Sequence, residues 1–259
     1  MSSRITEGGP PGFSLRETVP SVADEWGSKP QGRRRGYRDE FDYSFTYDPT
    51  SPTNFRMTGI RVLADLAALQ DPSGDAGTQP EEREFACFLY SNGVPGEPEP
   101  EGVRLRNDFF CRLDARRRVN SGGAVMNNIG GPVPTSETGA FVSRHKFVLA
   151  MENAIRPGYV TEKILHGFKH HAVPVYCGAP DIGLDFDTRT FLHYTGDNFE
   201  EVVDAMFRID ADPSAFREML NRPKLAPDPR PEFQEATLDD RVALIARSVQ
   251  AIRTSQAHP

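Results

Sequence analysis

Cysteine is scarce in this chain: Cys87, Cys111 and Cys177 are the only three in 259 residues. So few, so scattered and odd in number, they exclude a disulfide framework and a thiolate zinc site, and all three read as ordinary buried thiols. Long apolar runs are missing too. No window approaches the ~18 apolar residues of a membrane span, and the opening "MSSRITEGGPPGFSLRETVP" has no signal-peptide core. The chain is therefore read as soluble, with no anchor or leader. Positive charge is not in excess either: 30 Lys+Arg against 37 Asp+Glu leave a formal charge of −7. That excludes a non-specific binder of phosphate backbones, so nucleic acid is not an expected partner and any anion is bound locally.

A hydrophobic fraction of 37% with 22 Gly and 22 Pro, and a mean hydropathy of −0.52, point to irregular stretches beside a folded part. Residues 1–40, ending near "GRRRGYRDE", lack periodicity and read as a tail expected to be poorly ordered. Between 41 and 83, "FDYSFTYD" alternates like a strand, "IRVLADLAAL" has helical spacing and "QDPSGDAGTQPEERE" reads as a linker.

From Glu84 onward the texture is that of an α/β protein. "FACFLYS", "KFVLAME" and "AVPVYCG" read as buried strands, and "NDFFCRLDARRR" and "TEKILHGFKHH" as helices. "NFEEVVDAMFRI" is a helix with Asp197 and Asn198 as possible caps, and "LDDRVALIARSVQAI" is a final helix with Leu238, Val242, Ile245, Val249 and Ile252 on one stripe.

The stretch "ENAIRPGYVTEKI" joins a predicted parallel strand to a helix, which is where α/β proteins bind ligands. Backbone amides at a helix start favour an anion, and Lys163 adds a point charge for a phosphate. Glu162 would repel phosphate and instead suits the hydroxyls of a ribose or sugar, with Tyr159 offering a ring face or a phenol. The bland reading is Thr161 as a cap, Glu162 favouring the helix start and Lys163 solvated. Spacing alone leaves both open. In "NSGGAVMNNIGG", Gly122-Gly123 and Asn127-Asn128 fit a ligand loop and a plain turn equally well.

Several blocks occur together and in order: "FDYSFTYD", "FLYSNG", "RNDFF", "RRVNSGGAVMNNIGG", "KFVLAMENAIRPGYVTEKI", "GFKHHAVPVYCGAPDI" and "RIDADPSAFREML". In content and order they resemble the α1,3-fucosyltransferase family, glycosyltransferase family 10. The resemblance implies a GT-B architecture whose C-terminal, Rossmann-like domain binds GDP-fucose, here residues 84–259. Residues 41–83 would be the remnant of a truncated N-terminal acceptor domain. It implies transfer of L-fucose, with inversion and in α1,3 linkage, to a hydroxyl of a glycan or glycoprotein acceptor. The alternative is an inactive nucleotide-sugar-binding fragment lacking its acceptor domain. Matching donor-contacting positions are Ser91, Asn92, Arg106, Asn153, Tyr159, Glu162 and Lys163, with Arg106 and Lys163 facing the diphosphate. Eukaryotic relatives are Golgi membrane proteins, so Golgi placement rests on the resemblance alone.

Inverting transfer needs a base for the acceptor hydroxyl and positive charge for the departing diphosphate. Arg106 and Lys163 supply the charge, so neither a divalent metal nor another cofactor is expected. The Asp-x-Asp strings at Asp185/Asp187 and Asp210/Asp212 are not read as metal ligands, the second lying at a helix end before Pro213, where acidic residues turn or cap. His166 and His170 share a helix face but have no obvious third ligand. The family's catalytic glutamate precedes the "FDYSFTYD" block, and Glu25 falls at about that distance, making it the candidate base, with a plain surface charge as the bland reading.

Overall fold

The structure is a computed structural model that describes residues 44–46, 54–56, 82–91, 99–230, 243, 246, 247 and 250. The tail at 1–40, the helix expected near 60–69 and the apolar stripe of the last helix lie outside the described residues.

Strands β1 (Ser44–Thr46) and β2 (Asn54–Arg56) pair in parallel, the first falling inside the predicted "FDYSFTYD" strand. The main sheet contains β3 (Glu84–Phe88), β4 (Val119–Ser121), β5 (His145–Met151), β6 (Val173–Cys177) and β7 (Leu192–His193). All pairings are parallel, in the order β4-β3-β5-β6-β7. Every residue of β5 is buried, as a central strand covered on both faces requires.

Alternation along β5 divides the core. Phe147, Leu149 and Met151 enter a cluster with Phe109 and Leu113 of α1 (Glu101–Asp114), Val203 and Met206 of α4 (Phe199–Ala211), and Phe216 of α5 (Pro213–Asn221). Val148 points to the other face, against Phe141 and Val142 of α2 (Thr138–Ser143). There α3 (Lys163–Lys169) buries Ile164, Leu165 and Phe168. Each such side chain removed from water contributes about 1.5–3 kcal/mol before entropy is counted.

Local details depart from the sequence pattern in several places. Helix α1 begins six residues before the expected "NDFF" start (101 against 107), because Pro100 supplies a fixed φ at the N-cap and Glu101 favours the first turn. Neither β4 nor α2 was expected. Both are short, and three alternating residues carry no periodic signal. Asn198 occupies the N-cap of α4 but makes no capping bond; its Oδ1 accepts from the Thr195 amide instead. Asp212 does cap α5, accepting from the Ser214 and Ala215 amides at 2.9 and 3.2 Å. Cys87 and Cys177 are buried as expected, whereas Cys111 lies on the solvent face of α1. Burial pushes the Cys177 thiol up to about 12 and Cys87 higher still, so both stay inert.

Candidate functional site

The strand order is that of a doubly wound sheet in its 2-1-3-4-5 form, counted from β3. The chain leaves β3 toward one edge and β5 toward the other, so the crevice between their carboxyl ends is the topological switch point, the place where such sheets bind ligands. Tyr90 and Ser91 follow β3, and Glu152 and Asn153 follow β5.

Tyr90 joins the two strand ends. Its hydroxyl lies 2.9 Å from the Leu149 and Met151 carbonyls and accepts from the Met151 amide at 2.6 Å. Burial pushes this phenol up to about 12 despite nearby Lys163 and Arg106. Above the ring sits the Arg106 guanidinium, 4.1 Å from its centroid. Arg106 comes from the buried face of α1 and donates through Nη1 to Asn153 Oδ1 at 2.9 Å. Its exposure is only 1%, and burial lowers its pKa, a shift that leaves an arginine charged.

Helix α1 approaches this point closely because residue 102 is glycine. A Cβ there would lie 2.3 Å from the Glu152 carbonyl oxygen. Likewise, a Cβ on Gly123 would lie 2.1 Å from the Tyr90 carbonyl oxygen. The "GGAVMNN" loop is thus pressed against the site, and its asparagines fasten it. Asn127 bonds Gly123 O and the Gly131 amide, while Asn128 bonds the Ser121 amide and Val119 O.

The buried Glu152 carboxylate accepts from the Thr161 amide at 2.8 Å, from the Thr161 hydroxyl at 2.8 and 2.9 Å, and from Lys163 Nζ at 3.1 Å. Thr161 therefore ties the loop back to β5 rather than capping α3, whose N-cap residue is Glu162. Burial raises the Glu152 carboxyl, opposed by Lys163 and Thr161. Burial alone would lower Lys163, but Glu152, Tyr90 and Glu162 outweigh it and hold the ammonium charged. The Lys163 side chain keeps 19% of its surface exposed.

Of the predicted residues, Arg106, Asn153 and Lys163 converge at the switch point, with Ser91 exposed at the end of β3. Glu162 is half-exposed at the start of α3, and its carboxylate takes no hydrogen bond from the described residues. Tyr159 is buried, with the Arg156 guanidinium 5.2 Å from its ring centroid. Asn92 and Glu25 lie outside the described residues. Sequence reasoning missed Tyr90 and Glu152. Tyr90 sat beside the singled-out "SN", but nothing local announces a phenol that bridges two strands. Glu152 opened the quoted stretch, and its place at the end of an apolar strand was the available signal.

The acidic strings serve as anion partners of arginine and lysine. Asp185 accepts from Arg56 and Arg230, Asp187 from Arg189, and Asp210 pairs with Lys146 and Arg117. His166 and His170 have ring centroids 6.0 Å apart, and no cluster of three metal-ligating side chains occurs among the described residues. A cavity of about 460 Å³ lies at the start of α4, but its lining sets Asp197, Glu200 and Glu201 against the single cation Arg112, a net negative charge that would repel a diphosphate. No described helix is long and apolar enough to cross a membrane.

These features define a doubly wound α/β domain with two cations at its switch point. Residues 81–235 match the model of glycosyltransferase family 10 (fucosyltransferase), C-terminal part, and the chain belongs to that family. It is 34% identical to the α-(1,3)-fucosyltransferase of Helicobacter pylori over 144 residues, 55% of this chain and 28% of that protein. It is 49% identical over 85 residues to GDP-fucose protein O-fucosyltransferase 3 of Xenopus tropicalis, 30% of this chain and 18% of that protein. The crystal structure of an α1,3-fucosyltransferase with GDP-fucose superposes at a TM-score of 0.58 with 26% identity, covering 70% of this chain and 61% of the other. One with GDP gives 0.67 at 24% identity, covering 82% and 71%. The fold is that of these GT-B enzymes. The chain spans 28% of the bacterial relative's length.

Proposed function

We propose that this chain binds GDP-fucose at the β3/β5 switch point and serves a fucosyltransferase that moves L-fucose, with inversion and in α1,3 linkage, to a glycan hydroxyl. The carrying observation is the convergence of Arg106 from α1 and Lys163 from α3 around Tyr90. Two cations beside a switch point suit a diphosphate, and a related chain has been crystallised with GDP-fucose. Lys163, the more exposed of the two, contacts the diphosphate, while Arg106 adds charge from beneath. Glu162, whose carboxylate takes no hydrogen bond from the described residues, accepts hydroxyls of ribose or fucose. Ser91, Asn92, Asn153 and Tyr159 complete the donor contacts.

The acceptor hydroxyl attacks the anomeric carbon of fucose as GDP departs, and a base removes the hydroxyl proton. Glu25 is the candidate for that base. Charge on the leaving diphosphate is met by Lys163 and Arg106, so the reading requires no metal. If the chain is eukaryotic, the family resemblance supports work in the Golgi.

Calorimetric titration with GDP-fucose tests the donor site. Saturable binding is expected, undiminished by EDTA, and Lys163→Ala or Arg106→Ala should each cost about 1.5–3 kcal/mol. No binding by the parent chain overturns the reading. Transfer assays with N-acetyllactosamine and chitobiose-type acceptors then test the reaction.

A further inference from the structure

We propose that Arg56, Asp185, Arg230 and Asp181 form a positioning clamp that holds the ligand loop between β5 and α3 through the backbone of Gly158. The consequence for nucleotide binding rests on the functional reading above; the clamp itself does not.

Gly158 stands in the middle of that loop at φ +77°, a conformation that favours glycine. Both of its polar backbone atoms are held by the cluster. Its carbonyl accepts from Arg56 Nε and Nη2 at 3.0 and 2.9 Å, and its amide donates to Asp181 Oδ1 at 2.8 Å. Arg56 also donates to both oxygens of Asp185, at 3.0 and 2.8 Å. Arg230 closes the ring, donating to Asp185 at 2.6 and 2.5 Å and to Asp181 at 2.8 Å. Side chains from β2, from the turn after β6 and from residue 230 thus meet on one peptide unit.

A buried ion cluster is a poor way to gain stability, since apolar residues of similar volume often serve the fold as well. Apolar side chains cannot, however, grip an amide and a carbonyl at once. Tyr159 follows the clamped glycine directly, and two residues later Thr161 is tied to Glu152. The loop is therefore fastened at its middle and at its end, which leaves Tyr159 and the start of α3 little freedom. Pre-organisation of this kind lowers the ordering cost of binding.

Arg56→Lys separates positioning from folding, because lysine keeps the charge opposite Asp185 but lacks the fork that reaches Asp185 and the Gly158 carbonyl together. Hydrogen exchange of residues 153–161 is expected to quicken in this variant, while its melting temperature falls by less than that of Arg56→Ala. GDP affinity by calorimetry is expected to fall about tenfold. Arg56→Ala should lower affinity and melting temperature together. Unchanged loop exchange in Arg56→Lys overturns the clamp whether or not the protein binds GDP. Faster exchange with undiminished GDP affinity overturns its role in binding. A parent chain that ignores GDP, with faster loop exchange in the variant, sinks the functional reading and leaves the clamp standing.

Discussion

The Arg106 guanidinium rests 4.1 Å from the centroid of the Tyr90 ring, and the hydroxyl of that same tyrosine accepts the Met151 amide 2.6 Å away. One side chain therefore supports the cation from below and locks the ends of β3 and β5 together. Tyr90→Phe keeps the ring and strands a buried amide, which should cost about 1–3 kcal/mol in urea unfolding. Tyr90→Leu removes both functions and should weaken GDP binding as well, read by calorimetry on the folded fraction.

Lys163 is the counter-ion of a carboxylate sealed from water. Lys163→Met should destabilise the protein by about 3 kcal/mol at pH 7, the scale of breaking a buried pair. The loss should depend on pH. Without the ammonium, burial lifts Glu152 further above its unfolded value, so the folded state binds the proton more tightly. Stability is then fully present below the unfolded glutamate pKa of about 4.3 and declines as pH rises through the folded value. The deficit of the variant in urea midpoint relative to the parent should be larger at pH 7.5 than at pH 5, and an equal deficit at the two would refute the assignment.

Gly102 lets α1 touch the Glu152–Asn153 backbone. Gly102→Ala would normally strengthen a helix by about 1 kcal/mol. Here its Cβ meets backbone at 2.3 Å, so a net loss of about 1–3 kcal/mol is expected. Movement of α1 would also draw Arg106 away from Asn153. Thermal melting and GDP titration should both register the change.

His145 is fully buried as a neutral ring. Nδ1–H donates to the Phe141 carbonyl at 2.8 Å, and Nε2 accepts from Asn120 Nδ2 at 3.0 Å. Burial lowers its pKa, so the unfolded chain takes up the proton first. Stability should be flat above the unfolded histidine pKa of about 6.5 and fall as pH drops from there toward the folded value. Guanidinium titrations at pH 8 and pH 5.5 check this. In His145→Gln the part of the loss due to this ring should vanish.

The parts of this molecule that obey a local period were legible in its sequence. The apolar run of β5, the Phe199/Val202/Val203/Met206 stripe of α4 and the loop-to-helix junction at Glu162 are where the pattern puts them. Fold class followed from their alternation, and the family blocks named Arg106, Asn153 and Lys163 together. What escaped was the set of partners far apart in sequence. Asp185 read as half of an acidic string, because nothing nearby signals that Arg56 and Arg230 will converge on it. Thr161 is a cap in the bland reading because capping is the local option, yet α3 starts one residue later, at the N-cap Glu162, and the Thr161 hydroxyl donates to the buried Glu152 carboxylate. Cys111 read as buried from the habit of its residue type, while its position on α1 faces water.

The reach of Arg56 bears on how shortened versions of the protein should be made. Cutting at the edge of the family-matched region, residue 81, would discard that arginine. Asp185 would be left facing Arg230 alone, and the Gly158 carbonyl would lose the donors that Arg56 supplies. Fragments chosen by similarity would then carry a slackened loop between β5 and α3, and under the proposed function they should bind GDP more weakly than the longer chain. A boundary upstream of residue 44 retains the strand pair that delivers the missing side chain.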